Sequence, residues 1–248
     1  MLLVLSGIAI LFTGCAVDNQ KLAKFPGFSA KSDRISGLDP PHERTKLIRE
    51  KGKQGATASE SDREILAAQL VYEYQTSPDP NMRREAVDAL AKIPHSQRDQ
   101  FLQEILQDQD PFVRLSALEA LGTTFSGKPE DLQWLLINRM KTDSDRDVRV
   151  TAIRILGDIT AKKTKRSAKE GDENNLVIKE LGNLLSDRVP AVQYASMQSL
   201  RKITSLDYGN DINRWLQYMR YVNGEVPNLP DERTFTEKLP TLALPMFR

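Results

Sequence analysis

The chain has 248 residues, room for one sizeable domain. Its 35 basic and 34 acidic residues leave a net charge of +1, which removes any charge-based case for binding nucleic acid or an acidic substrate. A single cysteine excludes an internal disulfide, and 6% aromatic content suits helices packed with Leu, Ile, Val and Ala.

Met1–Phe12, MLLVLSGIAILF, is almost wholly apolar. It is shorter than the ~20 residues of a bilayer-spanning helix and suits the apolar core of an export signal. It runs into Leu11-Phe12-Thr13-Gly14-Cys15, with small residues directly before the only cysteine. This resembles a bacterial lipobox. The resemblance implies that residues 1–14 are a lipoprotein signal peptide, removed by cleavage before Cys15. It implies a diacylglycerol thioether on the Cys15 thiol and an acyl chain, palmitate in type, on the new amine. Several chains on one residue pass the two-signal threshold for stable membrane anchoring. The location implied is the bacterial cell envelope, facing the periplasm or exterior. The readings without lipid are a secretory signal with an incidental cysteine, or an ordinary apolar N-terminus.

Residues 15–61 read as a flexible, disordered tether. Pro26, Gly27, Gly37, Pro40, Pro41, Gly52 and Gly55 fall among few large apolar side chains, too few to offset the entropy of ordering. Lys21–Lys53 holds nine basic and four acidic residues. That excess suits either a solvated linker or attraction to anionic lipid headgroups. His42-Glu43 is a lone pair of metal-type ligands on this stretch, and a metal site needs several that converge.

The next stretch is periodic. Ser77–Ile93, Asp108–Phe125, Asp143–Ile159 and Asp187–Ile203 align on Met82, Val113, Val148 and Val192, at steps of 31, 35 and 44 residues. Four residues on stand Ala86, Ala117, Ala152 and Ser196; eight on stand Leu90, Leu121, Leu156 and Leu200. Each copy begins with a turn and a helix start. In the second, Asp110 offers a capping oxygen, Pro111 a pre-set φ, and Gly122 a left-handed C-cap. The small residue four places on lets two helices approach, because a larger one overpacks the contact. Between the copies lie amphipathic partner helices at Asp62–Gln75, Gln97–Gln107, Asp131–Lys141 and Asn174–Leu185. No segment reads as a strand.

The phrase D-x-D-P-x-V-R-x-x-A resembles HEAT-like repeats, including the short type found in phycobilisome-lyase-like proteins. The resemblance covers Asp62 to Val222 and implies an all-α solenoid of about four helical pairs. It also implies that Arg83, Arg114 and Arg149 belong to an Asp–Arg ladder between repeats. The other reading of these arginines is a row of anion-binding groups. Ala161–Asn175, AKKTKRSAKEGDENN, reads as an exposed loop between repeats. The stretch from Leu206 to Val222, with Tyr208-Gly209 ahead of Trp215, resembles the closing segment of bacterial HEAT-repeat lipoproteins and implies a C-terminal capping helix; an aromatic ligand patch is the alternative. Residues 223–248, with four prolines in Gly224–Arg248, read as an extended tail.

There is no Gly-rich phosphate loop, no G-x-S-x-G and no Cys/His cluster. No catalytic residue, cofactor or metal site is therefore expected. The function expected is a membrane-anchored scaffold or adaptor that binds another envelope protein, with no small-molecule substrate and no nucleic acid. The resemblance to phycobilisome lyases implies the alternative, a lyase-like enzyme or a pigment or protein chaperone.

Overall fold

The computed structural model describes residues 40–166 and 171–231; Cys15 and the residues expected to form a signal peptide lie outside them. The chain divides into two compact units after Glu43. Of the first unit only Pro40–Glu43 is described, where the Glu43 N–H donates to the Pro40 carbonyl at 3.0 Å to open a helix. Ten helices follow in chain order among the described residues: α1 (Pro41–Thr57), α2 (Glu60–Thr76), α3 (Pro80–Leu90), α4 (Arg98–Ile105), α5 (Pro111–Thr124), α6 (Pro129–Thr142), α7 (Arg146–Arg166), α8 (Gly171–Asn183), α9 (Pro190–Thr204) and α10 (Ile212–Val222). A 3₁₀ turn, Leu184–Ser186, precedes α9. No strand occurs among the described residues.

The repeated phrase marks where four of these helices begin, and its two aspartates, both present in the second and third copies, do different work; the N-cap of α9 is Val189, which makes no side-chain bond. The first closes the turn: Asp108 Oδ1 accepts from the Asp110 N–H at 2.8 Å, Asp143 Oδ1 from Asp145 at 2.9 Å, and Asp187 Oδ1 from Val189 at 2.8 Å. The second caps the helix. Asp110 accepts from the Phe112 and Val113 N–H groups, Asp145 from Asp147 and Val148, and Asp79 from Asn81. Proline at the first helical position of α3, α5 and α9 gives up an N–H that has no partner there.

Packing follows the same register. α2 lies on α3, α4 on α5, α6 on α7 and α8 on α9, while α3, α5, α7 and α9 stack side by side. The valine or methionine anchors, the small residues four places on and the leucines eight places on are all buried. The apolar ones of the last three copies belong to one core that runs from Val87 to Met219, while Met82, Ala86 and Leu90 of the first belong to a second cluster with Ile48, Ala67 and Leu70. The fold is an α-solenoid.

Three expectations are corrected. Gly122 does not end α5, which continues to Thr124. A Cβ at Gly122 would stand 2.8 Å from Ile155 Cγ2 of α7, so the glycine serves a close helix contact. Second, Pro41–Thr57 of the expected tether is helical, and Ile48 is buried among Leu70, Met82, Ala86 and Leu90. Gly52, expected as a breaker, sits where a Cβ would meet Ala89 Cα at 2.8 Å. Ile48-Arg49-x-x-Gly52 repeats Met82-Arg83-x-x-Ala86 one step of 34 residues earlier, so α1 is a diverged copy of the aligned helix. Third, the loop expected at Ala161–Asn175 is helical on both sides: α7 runs to Arg166 and α8 starts at Gly171. Alanine, lysine and arginine favour helix, and charge alone does not separate a solvated helix from a loop.

The capping helix is as expected. In α10 Trp215 is fully buried and its Nε1–H donates to the Gly209 carbonyl at 3.0 Å. The Tyr208 ring meets it edge-on with centroids 5.0 Å apart, and the Tyr208 hydroxyl donates to the Pro230 carbonyl at 3.0 Å. Gly209 has φ +58, which suits the turn ahead of the helix. The aromatic group is thus interior packing. Of the expected tail, residues 223–231 form turns that return Pro230 to the core, and residues 232–248 lie outside the described residues.

Candidate interaction surface

The three aligned arginines are consumed by structure. Arg83 holds both oxygens of Asp108 at 2.9 Å; Arg114 holds Asp143 at 3.0 and 2.7 Å; Arg149 holds Asp187 at 2.9 and 3.3 Å. Each pair joins an aligned helix to the turn of the next repeat. Arg114 Nη1 also donates back to the Asp108 carbonyl of its own turn at 2.9 Å. In the fourth repeat Gln193 Nε2 makes the equivalent bond to the Asp187 carbonyl at 2.7 Å. Burial works against the charge on Asp108, but hydrogen bonds from Arg83, the Asp110 N–H and Tyr74 hold its carboxyl below the usual range. The Tyr74 hydroxyl is pushed up to about 12, by burial first and then by the Asp108 charge. These groups form a ladder along the stack and leave few guanidinium donors for an anion.

The exposed side of the stacked helices carries the chemistry left over. Two places past the anchors stand Arg84, Leu115, Val150 and Tyr194; one place before the second anchor stands Phe112. Phe112 is 63% exposed and Tyr194 50%, while Leu115 and Val150 are half-buried against the core. Phe112 and Leu115 lie one helical turn apart on one face. The register therefore lines an apolar strip across α5, α7 and α9. Six places past the anchors, Arg154 Nη2 meets Glu119 Oε1 at 3.2 Å; ten places past, Lys202 Nζ meets Asp158 at 2.7 Å. The Ser116 hydroxyl donates to Asp88. The polar rows thus pair with themselves from helix to helix, and the strip stays open beside them.

Two concavities lie among the described residues. A cleft of about 30 Å³ between α2, α3 and α4 is lined mainly by apolar side chains such as Leu70, Val87 and Ile105, room for about one water. An open groove of about 590 Å³ runs between Lys179, Gly182 and Asn183 of α8 and Leu216, Met219 and Arg220 of α10. Among the described residues no three His, Cys, Asp or Glu side chains gather as a metal site, and no helix is long and apolar enough to cross a membrane. Cys15, the one site residue named from the sequence, lies outside the described residues. The strip escapes the sequence pattern because the copies align on their buried positions. The exposed positions of the same alignment carry its signal, an aromatic or branched side chain two places past three of the four anchors.

The fold and this surface define an α-solenoid of HEAT-like helical pairs presenting an open face. The family described as HEAT repeats matches residues 67–137, from α2 into α6. No curated protein matches the chain. Among solved structures, the crystal structure of an engineered protein is 21% identical, with a TM-score of 0.43 over 69% of this chain and 77% of that one.

Proposed function

We propose that this chain is a lipid-anchored scaffold or adaptor of the bacterial cell envelope, which binds another protein through the exposed face of its stacked helices. One observation carries the binding: the strip of Phe112, Leu115, Val150 and Tyr194 stands beside polar rows that are already paired, with Phe112 and Tyr194 exposed. Exposed aromatic side chains on a rigid scaffold are the usual anchors of an interface. The partner is a protein segment carrying apolar side chains. Anchoring rests on the lipobox resemblance at Leu11–Cys15 and the acyl chains it implies for Cys15.

The two parts separate in one experiment. Crosslinking in intact envelopes is compared for the wild type, Phe112→Glu and Cys15→Ser. The expected outcome is a partner captured by the wild type and lost from Phe112→Glu, with that variant's unfolding midpoint unchanged. Cys15→Ser should lose fatty-acid label and leave the membrane fraction. Capture that survives Phe112→Glu overturns the binding face, and label that survives Cys15→Ser overturns the anchor.

A further inference from the structure

The row two places past the anchors does not end at Leu115. One helix earlier it reaches Arg84, so Arg84, Leu115, Val150 and Tyr194 follow one another across α3, α5, α7 and α9. The neighbouring cations are committed: Arg83, Arg114 and Arg149 to the ladder, Arg154 to Glu119 and Lys202 to Asp158. Arg84 is not. Its Nε–H is buried and meets no acceptor, and no ion pair holds its guanidinium, among the described residues. The nearest carboxylates along the helix are taken. Glu85 receives two bonds from Arg49, and Asp88, one turn on, accepts from the Ser116 hydroxyl. A half-buried donor without an acceptor costs free energy until something supplies one. Beyond Arg84 the row continues to the exposed Glu50 of α1, which disfavours a second acidic group there and confines the acidic position to Arg84.

The spacing of the row restricts the shape of what lies on it. Stacked helices stand about 8–10 Å apart, so the row offers one side chain per step of that size. Three residues of a polyproline II segment advance about 9 Å and bring the side chain back to the same side. Three residues of a β-strand turn it to the opposite side. An α-helix takes seven residues to cover about 10.5 Å, and it is about 10–12 Å wide. Laid on Leu115 and Val150, it would cover Glu119 and Arg154, each one helical turn away and half exposed. That would strip water from a pair that gains nothing in return. A narrower extended chain leaves the pair solvated.

We infer that the segment docking here is a left-handed extended one that carries a carboxylate for Arg84 and apolar side chains at every third residue after it. This rests on the strip being the binding face. The apolar side chains lie over Leu115, Val150 and Tyr194, and the rings of Phe112 and Tyr194 supply flat contact area of the kind that receives polyproline II segments. The carboxylate meets the free guanidinium, which sets the direction and register of the segment.

The test uses the full chain and a labelled peptide with one glutamate, then leucine at every third position and proline between them. A second peptide has lysine in place of the glutamate. Binding is read by fluorescence anisotropy for the wild type, Arg84→Glu and Phe112→Glu. The wild type should prefer the glutamate peptide by about tenfold. Arg84→Glu should reverse that preference with an unchanged unfolding midpoint, since the Arg84 Nε–H has no acceptor to lose. Phe112→Glu should weaken both peptides. Equal binding of the two peptides by the wild type, binding of neither, or a glutamate preference that survives Arg84→Glu overturns the inference. So does tighter binding of a helical peptide with its glutamate and leucines at seven-residue spacing. Equal binding that is lost in Phe112→Glu overturns the inference alone and keeps the strip as the binding face. Binding that Phe112→Glu leaves intact overturns that face and the inference with it.

Discussion

The two ends of the stack are closed by opposite chemistry. At the N-terminal side α1 covers α3 with little apolar surface: Ile48 enters the core, Gly52 lets the backbones touch at Ala89, and charge pairs bind the edges. Arg49 holds Glu85 through two bonds, and Arg44 holds Glu73 at 3.0 and 2.7 Å. At the C-terminal side α10 brings Trp215, Tyr218 and Met219 onto a buried Tyr208. One end depends on close approach and partly exposed ion pairs, the other on burying large rings. An apolar cap keeps its strength in salt and acid, whereas a polar cap loses some of it in both.

The largest expected effect breaks the aromatic end. Trp215→Ala empties a fully buried site and removes the hydrogen bond to Gly209. It should cost about 3–5 kcal/mol, read as a lower urea midpoint, and the loss should be the same at low and high salt.

Next comes the close approach at the other end. In an open tether Gly52→Ala would be neutral or slightly stabilising. Against Ala89 the added methyl overpacks a backbone contact and should cost about 1–3 kcal/mol. A neutral result in thermal unfolding would mean that α1 does not lie on α3.

Ser196→Ala sharpens the comparison from the C-terminal half. The Ser196 hydroxyl is buried in α9 and finds no hydrogen-bond partner among the described residues. Its three counterparts are alanines. Removing an unsatisfied hydroxyl should raise stability by about 1 kcal/mol, measured as a higher urea midpoint.

The smallest effect concerns the charge pairs. The hydrogen bond from Arg49 holds the Glu85 carboxyl below the usual range, so folding favours its ionised form. That stability is present above the ordinary carboxylate value and is lost as pH falls through the depressed one. Glu85→Gln should therefore flatten the acid limb of the stability–pH curve, by less than about 1 kcal/mol given the exposure of Arg49. Trp215→Ala should leave the shape of that limb unchanged.

What the sequence by itself determined is the repeating unit. Asp-x-Asp-Pro sets the turn and the cap because those hydrogen bonds close within three residues. Anchors at 82, 113, 148 and 192, with small and leucine residues at fixed distance behind them, fall on one helical stripe, and a stripe implies a core. The aromatic cap was legible for the same reason, since its Tyr-Gly turn and tryptophan are neighbours along the chain. The tertiary structure decided the rest. Gly52 and Gly122 look alike as breakers in the sequence, yet each sits inside a helix because Ala89 or Ile155 lies against it. The charged stretch after Ala161 and the stretch from Pro41 looked unstructured because helix-forming charged residues have the same composition in a loop and on a solvated helix. The open strip of Phe112, Leu115, Val150 and Tyr194 exists only once α5, α7 and α9 stand side by side. Local hydrogen bonding and periodicity are written within one helix, whereas close contact and exposure depend on residues 30 or more positions away.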